Sequence, residues 1–184
     1  MDSLLTDQRL WTHCRLSGFA PNVFSALSYR PEELRCFINY YGVVMEPRGN
    51  LTKADKEMII VATSSENNCL YCIIAHGALH RIFSKDPYLA DQLAANWKSA
   101  SIDERQRAIL EFAMDVCQCK PLSKERFENL YKHGLTKDDA WDIGAVASLF
   151  ALSNRMAYLM NLKPNPEFYL MGRVKKEKTP EETK

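Results

Sequence analysis

Apolar side chains recur three and four positions apart along most of this chain, and no stretch sustains the alternation of a half-buried strand. Pro31-Glu32-Glu33-Leu34 starts a helix, with proline and two acids in its first turn. Asp86-Pro87 pairs an N-cap with proline at the first helical position. Ser101-Ile102-Asp103-Glu104 reads as a capping box opening a helix that turns Ala108, Leu110 (or Ile109), Phe112 and Val116 toward a core. Ser123 opens a shorter helix with Phe127, Leu130 and Tyr131. The branched run Met58 to Ala62 suits a short buried strand, but Thr52 followed three residues on by Asp55 caps a helix there instead. The expected fold class is all-α.

Leu51-Thr52-Lys53-Ala54-Asp55 recurs as Leu135-Thr136-Lys137-Asp138-Asp139, 84 residues later. Both copies place a threonine cap ahead of an apolar helix, which predicts two related helical units, about 51–83 and about 135–163. Carried along the same offset, Cys69 becomes Ser153, Cys72 becomes Met156 and His76 becomes Met160. The first unit is then the active one and the second a support. We expect a single helical domain over 1–172 and a disordered charged tail over 173–184, where apolar periodicity is lost. The broad apolar faces of the helix after Thr136 suggest subunit packing and hence a homo-oligomer.

With 46% apolar and 26% charged residues the chain is an ordinary globular sequence. A net charge of +1 directs it to neither nucleic acid nor an anionic membrane. No run reaches the roughly 18 apolar residues of a membrane span. Asp2 and Asp7 interrupt any secretory signal, so the expected location is cytoplasmic, with mitochondrial the minor alternative because of Arg9 and Arg15. In such a reducing compartment a close cysteine pair among the six cysteines is more often catalytic or metal-binding than a staple. Cys14, Cys36, Cys117 and Cys119 are read as structural thiols, Trp97 and Trp141 as packing anchors, and Met156 and Met160 as core.

The chemistry concentrates between Glu57 and His80. Cys69-Leu70-Tyr71-Cys72 is followed by His76 and His80 at four-residue steps, so the sulfurs and imidazoles share one helix stripe. Asn67 and Asn68 are placed to cap that helix, and Cys69 stands near its N-terminus, where free N–H groups favour a thiolate. Three readings compete. Cysteine is often a buried filler. A zinc site is disfavoured because Cys69 to His80 spans about 16 Å of helix rise, far beyond bonds of roughly 2 Å. A redox dithiol needs only that the two sulfurs close a disulfide beside a base, with His76 one turn from Cys72 and Glu57 orienting the ring. A thioredoxin fold is a poor host, lacking the strands it needs. His80 reads as a surface or supporting group.

Glu57, eleven further residues, then Cys69-x-x-Cys72-x-x-x-His76 resembles the signature of alkyl hydroperoxidase D (AhpD)-like proteins, within the carboxymuconolactone decarboxylase superfamily. Gly18-Phe19-Ala20-Pro21-Asn22-Val23-Phe24 with Pro31 resembles its peroxidase-related branch. The resemblance covers about 18–163. It implies an AhpD-like helical bundle, oligomer formation and a peroxidase cycle in which Cys72 attacks, Cys69 resolves, and Glu57 with His76 relays the proton. Tyr71 stands where the best-known members have histidine; it is a poor base but able to donate a hydrogen bond to the leaving oxygen. The implied partners are a hydroperoxide and an external dithiol or protein reductant. No haem, flavin or nicotinamide motif is present, so no cofactor is expected. Two alternatives stand beside the peroxidase: a sestrin-like redox-sensing binding module, which the same tyrosine resembles, and decarboxylase-like chemistry using Glu57 without redox.

Overall fold

The computed structural model describes residues 18–173, in which the chain folds into nine α-helices and one 3₁₀ turn, with no strand among the described residues. They are α1 (Asn22–Leu27), α2 (Pro31–Met45), α3 (Lys53–Glu66), α4 (Leu70–Ser84), α5 (Leu89–Asn96), the 3₁₀ turn (Trp97–Ser99), α6 (Glu104–Cys117), α7 (Lys124–Lys132), α8 (Lys137–Leu159) and α9 (Glu167–Leu170). The all-helical expectation holds. The charged-tail reading, Cys14 and the N-terminal localisation signals lie outside the described residues, apart from Arg173. Among the described residues no helix is long and apolar enough to cross a membrane.

The branched run that resembled a strand is the centre of the molecule. Residues Asp55 to Ser64 of α3 are all buried, which requires neighbours on every side of the helix. α4, α5, α6 and α8 supply them. The polar groups this burial traps are satisfied. Lys56 threads its ammonium to the carbonyls of Val44 (2.7 Å) and Glu46 (2.8 Å) at the end of α2, with Asp142 at 3.5 Å. It thereby fills orphan acceptors at a helix C-terminus, where a cation is favoured.

Both threonine caps form reciprocal boxes, Thr52 with Asp55 and Thr136 with Asp139. Their spare acceptor capacity stitches the molecule together. Asp55 takes a forked pair of bonds from Arg105 at 3.0 and 3.1 Å. Asp139 accepts from the Asn50 backbone and side-chain amides, both at 2.8 Å. Gly49 permits that approach: it sits at φ +66°, and a Cβ there would meet Asp139 Oδ1 at 2.5 Å. Burial raises the Asp139 carboxyl, but the donors of Asn50 and Thr136 outweigh it and hold the group below its ordinary value. Asp139→Ala should destabilise the fold by about 2 to 4 kcal/mol, from the lost cap and the buried donors left unpaired. For a carboxylate whose folded value is lowered, the contribution is present above the unfolded value and disappears as pH falls through the folded one. The gap between wild type and variant in urea melts should therefore close in acid.

α3 and α8 run side by side in the same direction, tied by Lys56–Asp142 at one end and by Asn154 Nδ2 donating to Ser64 Oγ (3.0 Å) at the other. They differ where the chemistry lies. The first helix stops at Asn67, Asn68 takes a left-handed turn (φ 55°) that asparagine tolerates, and α4 runs back antiparallel against α3. At the same offset Ala151, Leu152 and Ser153 carry α8 straight on.

Several sequence expectations move. Asp103, not Ser101, caps α6, in a reciprocal box with Gln106; Gln106 is the polar residue three positions on that a box needs, and the extended backbone sits at 103. After Asp86-Pro87 the helix starts two residues late, because Asp86 Oδ1 accepts from the N–H groups of Tyr88 (2.8 Å) and Leu89 (3.0 Å) and so ends a turn first. Trp141 is not a packing anchor: it is 79% exposed on the outer side of α8 with Leu152 and Leu159, while Trp97 does pack on the core.

Candidate active site

α4 begins on its chemistry. Cys69 is itself the N-cap, its N–H donating to Ser64 O (2.9 Å) and its carbonyl accepting from Ile73 (3.0 Å). Asn67 and Asn68, expected as caps, do other work. Asn67 ends α3 and donates to Asn154 Oδ1 at 2.9 Å, and the Asn68 carbonyl accepts from the Tyr158 hydroxyl at 2.7 Å. Cys72 follows one turn later. Both thiols are free, and the residues are only 2% and 1% exposed.

The two thiols are shifted in opposite directions. The Cys72 thiol hydrogen-bonds Cys69 and, against the cost of burial, lowers the Cys69 thiol to about 6. The Cys72 backbone, the Asn154 amide and the His76 charge add to that lowering. Cys72 is pushed the opposite way, first by that same bond to Cys69 and then by burial. Both directions favour Cys69 over Cys72 as the first of the two to ionise. Ultraviolet thiolate absorbance, taken as the difference between wild type and Cys69→Ser, should titrate with a midpoint near 6. Cys72→Ala removes the largest cause and should move that midpoint upward.

His76 lies one turn beyond Cys72. Its Nδ1 is 2.7 Å from Glu57 Oε2, a buried carboxylate on α3, and its ring meets Phe150 edge-on at 4.5 Å between centroids. Where Nδ1–H donates to Glu57, Nε2 is left to exchange a proton with the cavity. Cys72, Glu57, His76 and Tyr71 line one cavity of about 870 Å³, and Cys69 is not on its wall. Phe24, Phe37, Tyr41, Leu79, Phe83 and Met171 make the rest of it largely apolar.

Tyr71 turns its hydroxyl toward Val23, whose N–H donates to it at 3.2 Å, and its ring stands perpendicular to Phe168. Burial raises that hydroxyl to about 12. It ties α1 and α9 over the sulfurs. His80 is neither on the surface nor beside them. It is 1% exposed, lies 3.5 Å from Ser84 Oγ, and burial lowers its imidazole to about 4. Two of the cysteines taken as structural, Cys36 and Cys119, are exposed, and Cys117 is half-buried.

Three polar neighbours escape a reading by motif. Ser153 Oγ lies 4.0 Å from Cys72 Sγ, the Asn154 amide lowers both thiols, and the Tyr41 hydroxyl is raised by burial and by the charge of Glu57. The 84-residue offset does point to Ser153, as the counterpart of Cys69, but marks that copy as lacking chemistry. The signal was position rather than residue type.

The model of the carboxymuconolactone decarboxylase family matches residues 31–90, which carry α2 to α4 and the start of α5. Among solved structures, an alkylhydroperoxidase AhpD core, an uncharacterized peroxidase-related protein from Ralstonia eutropha JMP134, is 48% identical, with TM-score 0.90 over 96% of this chain and 92% of that one. An uncharacterized peroxidase-related protein from Silicibacter sp. TM1040 is 35% identical, with TM-score 0.86 over 94% and 92%. The debrominase Bmp8, in complex with 2,3,4-tribromopyrrole, shares the fold at 18% identity and TM-score 0.78 over 92% and 90%. No curated protein matches the sequence.

Proposed function

Since this chain belongs to the AhpD-like carboxymuconolactone decarboxylase family and is peroxidase-related, we propose that it is a thiol-dependent hydroperoxidase with Cys72 as its attacking sulfur. One observation carries the choice of sulfur. Of the two thiols only Cys72 lines the cavity, beside a histidine fixed by a buried carboxylate.

The resting charge on Cys69 gives the first step its base. As Cys72 attacks the distal peroxide oxygen, its proton passes to the Cys69 thiolate already bonded to it. The O–O bond breaks, Cys72 becomes a sulfenic acid, and the departing alkoxide takes the Nε2 proton of His76, which enters the step as an imidazolium held by Glu57 and regains that proton from solvent. The Cys69 thiol then condenses with the sulfenic acid, releasing water and closing the Cys69–Cys72 disulfide. An external dithiol reduces it. Tyr71 shapes the wall and holds α1, and a donor role toward the leaving oxygen is open to its hydroxyl proton. The apolar cavity suits an organic hydroperoxide better than hydrogen peroxide. The same reading carries assembly with further copies of the chain, for which exposed Trp141, Leu152 and Leu159 offer a face.

The test is to titrate a reduced sample with cumene hydroperoxide and map the product by peptide mass. One equivalent should yield one disulfide, linking Cys69 to Cys72. A product joining any other pair, or a sulfenic acid that persists beside a free Cys69 thiol, would sink the reading.

A further inference from the structure

A buried disulfide must be reduced by something, and a protein dithiol cannot seat itself on sulfurs that are 1% and 2% exposed. A second pair of thiols stands on the far side of the turn that carries Cys69. α6 ends at Cys117, and Cys119 follows in a left-handed turn (φ 54°) with its residue exposed. Cys117 packs against the end of α3, its sulfur 3.8 Å from Thr63 O and 3.6 Å from Asn67 Nδ2. That same Asn67 amide donates to Asn154 Oδ1 at 2.9 Å, and Asn154 follows Ser153, whose hydroxyl lies 4.0 Å from Cys72 Sγ. One asparagine layer therefore separates the half-buried thiol from the buried pair, and it lies in the turn Asn67-Asn68-Cys69 between two helices.

We infer that Cys117 and Cys119 form an entry dithiol, through which a protein dithiol reduces the buried Cys69–Cys72 disulfide. This rests on the hydroperoxidase reading, which supplies that disulfide. The Cys117 thiol gives up its proton, with the Glu66 carboxylate beside it as acceptor, and attacks Cys69 Sγ. The Cys69–Cys72 bond breaks, and Cys72 leaves and is protonated. Cys119, exposed and losing its proton to solvent, then attacks Cys117 Sγ and expels Cys69 as the thiolate. The two electrons now reside in the buried pair, and the Cys117–Cys119 disulfide lies at the surface. The external dithiol attacks it and restores both thiols, leaving as its own disulfide. Burial and Glu66 raise the Cys117 thiol, which makes it idle until deprotonated and a strong nucleophile then.

Wild type, Cys119→Ser and Cys117→Ser are oxidised with diamide, the Cys69–Cys72 link is verified by peptide mapping, and each is mixed with reduced thioredoxin or with dithiothreitol. Thioredoxin should open the buried disulfide about tenfold more slowly in both variants. Dithiothreitol, small enough to enter through the cavity, should open it at nearly the wild-type rate in all three. In the double variant Cys72→Ser, Cys119→Ser, diamide should join Cys69 to Cys117. Equal thioredoxin rates with no Cys69–Cys117 peptide would overturn the relay and leave the hydroperoxidase reading standing. Failure of diamide and peroxide alike to link Cys69 with Cys72 would remove both, and it shows before any reductant is added.

Discussion

Cys72→Ser should abolish peroxide consumption, with turnover falling at least about a thousandfold because no other cysteine among the described residues lines the cavity. Cys69→Ser should behave differently. It retains the attacking sulfur, so it consumes at most one equivalent of hydroperoxide and stops as a Cys72 sulfenic acid, which a dimedone adduct would reveal. Even that equivalent should be consumed slowly. The wild-type pair holds a thiolate at position 69 that accepts the Cys72 proton; a serine hydroxyl at neutral pH does not. Stopped-flow peroxide loss separates the two effects, since the rate of the first equivalent reports the base and its failure to repeat reports the resolving sulfur. The two alternative functions part company here as well. Decarboxylase-like chemistry that uses the cavity and Glu57 would keep its full rate in Cys69→Ser. A redox-sensing module would show the same disulfide but bind its partner without turnover.

How far the sequence anticipates this site depends on the kind of interaction. The fold class is legible because helix caps are local: Thr52 with Asp55 and Thr136 with Asp139 need only their own four residues. The pairing of Glu57 with His76 is legible because α3 and α4 are joined by a short turn, which leaves little choice but antiparallel packing. Errors arise where two local signals compete. Ser101 and Asp103 both offer a cap, and Asp86 caps a turn before it caps a helix. What lies beyond reach comes from distant parts of the chain. Asn154 and Ser153 arrive on α8, and no spacing in the motif announces them. Both adjust the thiols, Asn154 lowering each of the pair and Ser153 lowering Cys72, against larger effects of the pair itself and of burial. From the motif alone, an imidazole in contact with Cys72 outweighs the helix N-terminus at Cys69. In the structure the imidazole is bonded to Glu57, and it is the N-cap thiol that is lowered while Cys72 is raised. Cys72 stays the candidate nucleophile for a different reason, its access to the cavity. Trp141 shows the same limit from the other side: hydrophobicity predicts a wish to be buried but not by which surface.

Glu57→Gln should lower turnover by about 10²-fold, within the range a positioned acid–base group contributes. The substitution is close to isosteric and still offers an oxygen to His76 Nδ1–H, so the fold should survive. The charge is what is lost. A buried carboxylate 2.7 Å from the ring stabilises the imidazolium that can protonate a departing alkoxide; a neutral amide does not, and the ring becomes a weaker acid–base partner at neutral pH. A residue that only orients the ring would slow all hydroperoxides alike. The proton-donor role predicts instead that the loss grows with the basicity of the leaving alkoxide: tert-butyl hydroperoxide should suffer more than a peracid, whose carboxylate leaves without help. Tyr41 gives an independent readout, because its hydroxyl is raised by burial and then by the Glu57 charge. In Glu57→Gln its ionisation should move downward, while Cys69, losing the smallest of its lowering causes with the His76 charge, should rise only slightly. An unchanged ratio between the two substrates would reduce Glu57 and His76 to structural props, and the alkoxide would then have to find its proton elsewhere, from the Tyr71 hydroxyl or from solvent.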